Sequence, residues 1–177
     1  MTKATKYLIY SQSSFFVMLV TCFLLVPKVI TSNLGISYFG TNKLTIIPYA
    51  AGLLITCFFI IKAAKNINHS QTLLSDFMAS IALLIFGVLL TPYSVGALFD
   101  RVHLVASASL FLTELMLSIW LVKLSGKDLT NVVLVLVQFI GAFIAFVSLI
   151  SKVELMLTGQ VIVQLTFGLI LIRSVKT

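Results

Sequence analysis

Six apolar runs, each close to 20 residues long, follow one another along this chain and leave almost no room for anything else. A run of that length, wound as a helix at ~1.5 Å per residue, crosses about 30 Å of hydrocarbon. Inside a bilayer every backbone N–H and C=O must be satisfied within the protein, and a helix does this by itself. The runs fall at about 7–26, 45–64, 73–93, 102–123, 130–151 and 155–172. The connections are too short to hold a soluble domain. Residues 1–177 therefore read as a single transmembrane domain, an all-α polytopic bundle of six helices. Composition agrees, with 10% charged residues where soluble domains carry about 25%.

The net charge of +7 invites a nucleic-acid reading, but its distribution along the chain argues for topology instead. With six spans, both termini and the second and fourth connections share one side. Eight basic residues fall there: Lys3, Lys6, Lys62, Lys65, Lys123, Lys127, Arg173 and Lys176. Four fall opposite: Lys28, Lys43, Arg101 and Lys152. Basic loops stay on the cytoplasmic face, so both termini are expected there, and the lysines are expected to meet anionic lipid head groups. The setting is expected to be a prokaryotic inner (plasma) membrane.

Lys3 and Lys6 ahead of an apolar run resemble a signal peptide, but no small-x-small cleavage site follows, so a retained first span is expected. Cys22 and Cys57 sit at different depths in their spans, which speaks against a disulfide and for two small apolar fillers. Asn68-His69-Ser70 fits a glycosylation sequon but falls on the expected cytoplasmic side. The longest connection, about Pro27 to Leu44, carries turn residues around Ile36-Ser37-Tyr38-Phe39. It is expected to fold back onto the outer surface of the bundle. Spans one to three show no similarity to spans four to six of the kind that inverted-repeat transporters display.

Glu114 lies in the middle of the fourth run. A charge at that depth costs about 2.5–3.5 kcal/mol on insertion scales, so burial favours the uncharged acid there. His103 stands eleven residues before it, three turns plus ~20°, on the same helix face, with Ser107 and Ser118 on that stripe. Glu114 would sit about 16 Å deeper than His103. Gln138 in span five and Gln164 in span six come to the same depth, with Gln160 one turn above. These amides are candidate partners for Glu114, either as the floor of a ligand or proton site or as interhelical glue contributing roughly 0.6–2 kcal/mol. Asp100, Arg101 and His103 cluster at the outer end of span four. They could hold a lipid head group, a phosphate or a metal together with Tyr38 or Tyr93, or form a solvated helix entry favoured by the helix dipole. Asp76 reads as interfacial.

Several chemistries are disfavoured. A zinc site needs three or more ligands at one depth, and the second histidine, His69, is on the opposite side, which also disfavours a bis-histidine haem. Ser94, Asp100 and His103 have no spacing specific to a catalytic triad. No metal and no cofactor is expected.

Ile36-Ser37-Tyr38-Phe39-Gly40 followed by Pro48-Tyr49, and His103 with Ala106, Ser107, Leu110 and Phe111 after it, are similar to stretches of the DRAM/FRAG/Sfk-like six-span proteins and related prokaryotic membrane families. The resemblance covers roughly residues 30–125. Tyr38 stands where much of that family has an acidic residue. The resemblance implies a six-helix bundle with Ser37 and His103 near one outer-facing site. Eukaryotic members of that family are linked to lipid handling and membrane trafficking.

The reading that follows is a non-enzymatic integral membrane protein that binds a lipid or small amphiphile in an outward-facing pocket. Its floor would be Glu114, Gln138 and Gln164 and its mouth Tyr38, Asp100, Arg101 and His103, with Ser107 a further candidate ligand-binding residue. The alternatives are a proton-coupled transporter or channel using Glu114, a lipid-modifying enzyme using His103 and Asp100, and a structural subunit. Expected partners are membrane lipids, a small amphiphilic ligand and other subunits of a homo- or hetero-oligomer in the membrane, with no nucleic acid.

Overall fold

A computed structural model describes residues 1–177 except 68–70, 94, 126–127, 152 and 177. The Asn68-His69-Ser70 sequon, Ser94, Lys127 and Lys152 lie outside the described residues. The six long helices are α1 (Lys3–Leu25), α2 (Ile46–Ala64), α3 (Thr72–Leu90), α4 (Ala97–Leu124), α5 (Leu129–Ile150) and α6 (Met156–Lys176), and all six are long and apolar enough to cross a membrane.

Local chemistry sets the ends. Thr2 caps α1, its hydroxyl accepting from the Thr5 N–H at 3.1 Å, which starts that helix four residues before the apolar run. Pro27 follows its end and opens a short 3-10 turn, Pro27–Thr31. α4 begins at Ala97, five residues earlier than the hydropathy pattern suggests. Asp100 falls in its first turn, where the helix dipole favours an acid, so the charged pair Asp100-Arg101 is part of the helix rather than its border. Asp128 caps α5 by accepting from the Thr130 N–H at 3.1 Å.

Several hydroxyls inside the spans satisfy themselves. Ser14, Thr21, Ser80, Thr113 and Ser118 each donate to the carbonyl four residues back, which removes the cost of carrying a hydroxyl in lipid. The outward faces are apolar: Ile47, Leu83 and Phe143 are each about two-thirds exposed or more, as a lipid-facing surface requires.

α1 packs on α2, α2 on α3, α3 on α4, and α6 returns to both α1 and α4, closing a ring. α5 lies along α6 over most of its length but meets α4 over a much shorter stretch. Glycines set these distances. A Cβ on Gly159 would stand 2.5 Å from the Ala145 nitrogen and the Gly141 carbonyl oxygen, so α5 and α6 touch backbone to backbone. Gly52 makes room in the same way for Met18 between α1 and α2.

The long first connection folds back onto the bundle. Its second 3-10 turn, Ile36–Gly40, buries Phe39 completely, edge-on to Phe23 with ring centroids 5.5 Å apart. Asn33 donates to the Ser148 carbonyl of α5 at 2.7 Å, the Ile36 N–H donates to Oε1 of Gln160 on α6 at 2.7 Å, and Thr45 donates to the Phe39 carbonyl at 2.8 Å. This connection caps the end of the ring opposite the termini.

Candidate functional site

The ring encloses a cavity of about 380 Å³ to which all six helices and the Ile36–Gly40 turn contribute. Its wall is mostly aliphatic and aromatic. Among the described residues that line it, the exposed ones are Leu104 and Ala108 on α4 and Phe146 and Leu149 on α5. The cavity therefore meets the surface between these two helices. α4 and α5 are joined on the side of the termini, while Leu104 lies in the first third of α4 and Leu149 at the end of α5. The gap thus opens in the half nearer the Ile36–Gly40 turn, sideways, through a flank of large apolar side chains.

Polar groups converge on this apolar space from several elements. Glu114, 2% exposed, accepts at Oε2 from Nε2 of Gln164 at 2.8 Å, linking α4 to α6. Both line the cavity, as does Ser107. Unlike the hydroxyls that bond back to their own helix, the buried Ser107 Oγ has no partner in the protein. Neither has Oε1 of Gln12, a cavity residue on α1 that packs over Gly168. Sequence reasoning missed Gln12; its only signal was a lone amide inside the first apolar run.

The other expected site residues fall elsewhere. Gln138 is fully buried, but neither its amide oxygen nor its nitrogen has a partner, and it does not reach Glu114 by a hydrogen bond. The lining of α5 stops at Ala142, one turn short of it. Tyr38, Asp100, Arg101 and His103 do not line the cavity; its opening belongs instead to Leu104, Ala108, Phe146 and Leu149. Tyr38 is half-buried and its hydroxyl accepts from Asn42 at 3.0 Å. Asp100 is half-buried and Arg101 exposed at the start of α4. Asp76 is exposed near the start of α3, and Cys22 and Cys57 are both buried free thiols.

His103 reaches the cavity through one intermediary. It is buried, its Nδ1 bonds the Thr91 carbonyl, and its Nε2 lies 2.8 Å from Oγ of Ser37, which does line the cavity. The carbonyl can only accept, so Nδ1 carries the proton. Nε2 then offers its lone pair to the Ser37 hydroxyl. The phenol of Tyr49, also buried, sits against Ser37 at the same end of the cavity.

On the far side of the bundle, Arg173 of α6 donates to Asp128 at 2.8 Å and to Asn131 at 3.2 Å, closing the α5–α6 pair. That Arg173 hydrogen bond, helped by the Thr130 N–H, holds the partly exposed Asp128 carboxyl below its ordinary range.

A ring of six apolar helices around a largely apolar chamber defines an integral membrane protein. The chain matches no protein family, no curated protein and no solved structure.

Proposed function

We propose that this protein binds one lipid or small amphiphile in the chamber enclosed by its six helices, in a prokaryotic inner membrane, with both termini cytoplasmic. The observation that carries the reading is the position of the opening. A cavity entered between α4 and α5, past Leu104 and Phe146, opens through an exposed apolar flank, the kind of surface that suits hydrocarbon better than water. A volume of about 380 Å³ lies at the small end of ligand pockets, which run from about 300 to 1,000 Å³. It suits a single acyl or isoprenoid chain better than a two-chain lipid.

The few polar groups on the wall fit this occupant. Ser107 Oγ and Gln12 Oε1 are buried without protein partners; the serine hydroxyl can donate to an ester or hydroxyl oxygen, and the amide oxygen can accept from a hydroxyl. Buried polar atoms of this kind call for such a partner. The similarity of the Ser37 and His103 segments to DRAM/FRAG/Sfk-like proteins, some of them linked to lipid handling, is in keeping with this reading.

Native mass spectrometry of the purified protein tests it. Wild type is expected to carry a bound lipid of defined mass. Ala108→Trp, which fills the opening from an exposed position, is expected to lose that lipid while keeping its helical circular dichroism. Bare wild-type protein, or lipid retained unchanged by Ala108→Trp, would overturn the reading.

A further inference from the structure

We propose that Ser37 is a nucleophile that accepts the acyl group of an ester lipid held in the chamber, with His103 as its general base. The inference rests on the lipid-binding reading and goes beyond it. Three features of a nucleophile, a base and an orienting group meet here. Ser37 lines the cavity and its Oγ stands 2.8 Å from His103 Nε2. The Thr91 carbonyl bonds the opposite ring nitrogen and fixes the tautomer that leaves Nε2 unprotonated. His103 itself is buried at 6% exposure, behind Ser37.

A purely architectural role for the Ser37 hydroxyl is already filled by other bonds. The turn that carries it is pinned through the Ile36 N–H to Gln160, through Asn33 to Ser148, and through the Phe39 carbonyl to Thr45. Ser37 itself meanwhile belongs to the chamber's lining. Tyr49 adds a second buried hydroxyl beside Ser37 in the same chamber, a group able to donate to the negative charge that develops on the ester oxygen.

The step is balanced as follows. Ser37 Oγ bonds to the ester carbonyl carbon while its proton passes to His103 Nε2. The tetrahedral adduct collapses by breaking the carbon–oxygen bond to the lipid alcohol, which takes that proton from Nε2. Water, activated in turn by His103, then cleaves the acyl-serine. The net reaction is ester plus water to carboxylic acid plus alcohol.

The test uses the full chain in nanodiscs, treated with a long-chain alkyl fluorophosphonate and read by intact-mass and peptide mass spectrometry. Wild type is expected to gain one phosphonyl group mapped to Ser37. Ser37→Ala is expected to gain none, and His103→Gln is expected to label roughly a hundredfold more slowly. Ser37→Cys, which keeps the side chain's size, serves if the alanine variant fails to fold, and is likewise expected to lose the phosphonyl adduct. Wild type that carries lipid but no adduct, or an adduct that survives both Ser37 substitutions, overturns this inference. Wild type without any bound lipid would sink the binding reading instead, so the two failures are distinguishable.

Discussion

The amide nitrogen of Gln164 donates to the carboxyl of Glu114 across 2.8 Å, and this bond joins α4 to α6 inside the bundle. Deleting one partner strands the other in a nonpolar setting, which costs more than the bond itself contributes. Glu114→Ala is therefore expected to lower stability by about 1–2 kcal/mol. Glu114→Gln, which keeps an acceptor, should cost less than half as much. Trp120 lies on the same helix and is the single tryptophan of the chain, so its fluorescence reports unfolding in detergent. An alanine variant as stable as wild type would show that the pair contributes nothing.

The α5–α6 contact leaves no space for a methyl group at Gly159, where the obstructing atoms are backbone and cannot rotate away. Gly159→Ala should cost roughly 1–3 kcal/mol, the usual range for overpacking. Gly96 has nothing within 4 Å of an added Cβ and an extended backbone, so Gly96→Ala is the matched control and should fall near wild type. Equal midpoints for the two variants would contradict the close packing described.

Asp128 and Arg173 give a pH signature. Asp128 has a folded-state pKa below its ordinary value of 3.8, chiefly through the Arg173 hydrogen bond. The pair thus stabilises the fold above that ordinary value, and the contribution fades as pH falls through the lower, folded-state pKa. Both side chains are partly exposed, at 38% and 44%, so the effect is small. The unfolding midpoints of wild type and Asp128→Asn should differ at neutral pH and converge once the pH has fallen below the folded-state pKa of Asp128. A gap that stays constant down to that pH would assign the difference to something other than this ion pair.

How far the sequence speaks depends on which coordinate is asked for. Length and hydropathy fix how many helices cross the bilayer, and they placed the six helices to within a few residues. The largest offset, at the start of α4, arose because Asp100-Arg101 reads as a border when the dipole in fact admits it to the helix. Counting residues also gives depth, which is why Glu114 and Gln164 could be paired in advance. It does not give the shape of the space between helices. Gln138 comes to a matching depth yet lies one turn beyond the last lining residue of α5. The opening between α4 and α5 depends on how two helices splay, and the close Gly141–Gly159 contact that draws α5 to α6 leaves only isolated glycines as its trace. Ser37 and His103 are 66 positions apart, and neither composition nor helical spacing brings them together. Arg173 was counted solely as a topology charge, and its partner Asp128 drew no notice because a lone acid in a short polar connection is unremarkable.

On the proposed lipid-binding reading, an opening on the apolar flank between α4 and α5 changes what affinity would mean for this protein. An amphiphile reaching Leu104 and Phe146 would arrive from the lipid phase, where its abundance is a mole fraction among neighbouring lipids. Occupancy would then be set by the difference between the chamber and the bilayer as solvents for the same chain, and burying apolar surface would contribute little to that difference because both are hydrocarbon-like. Selectivity would fall to the sparse polar atoms on the wall and to the length of chain the chamber admits. The protein would sort its ligands by head-group hydrogen bonding and fit, at an occupancy that follows membrane composition and is indifferent to dilution in water.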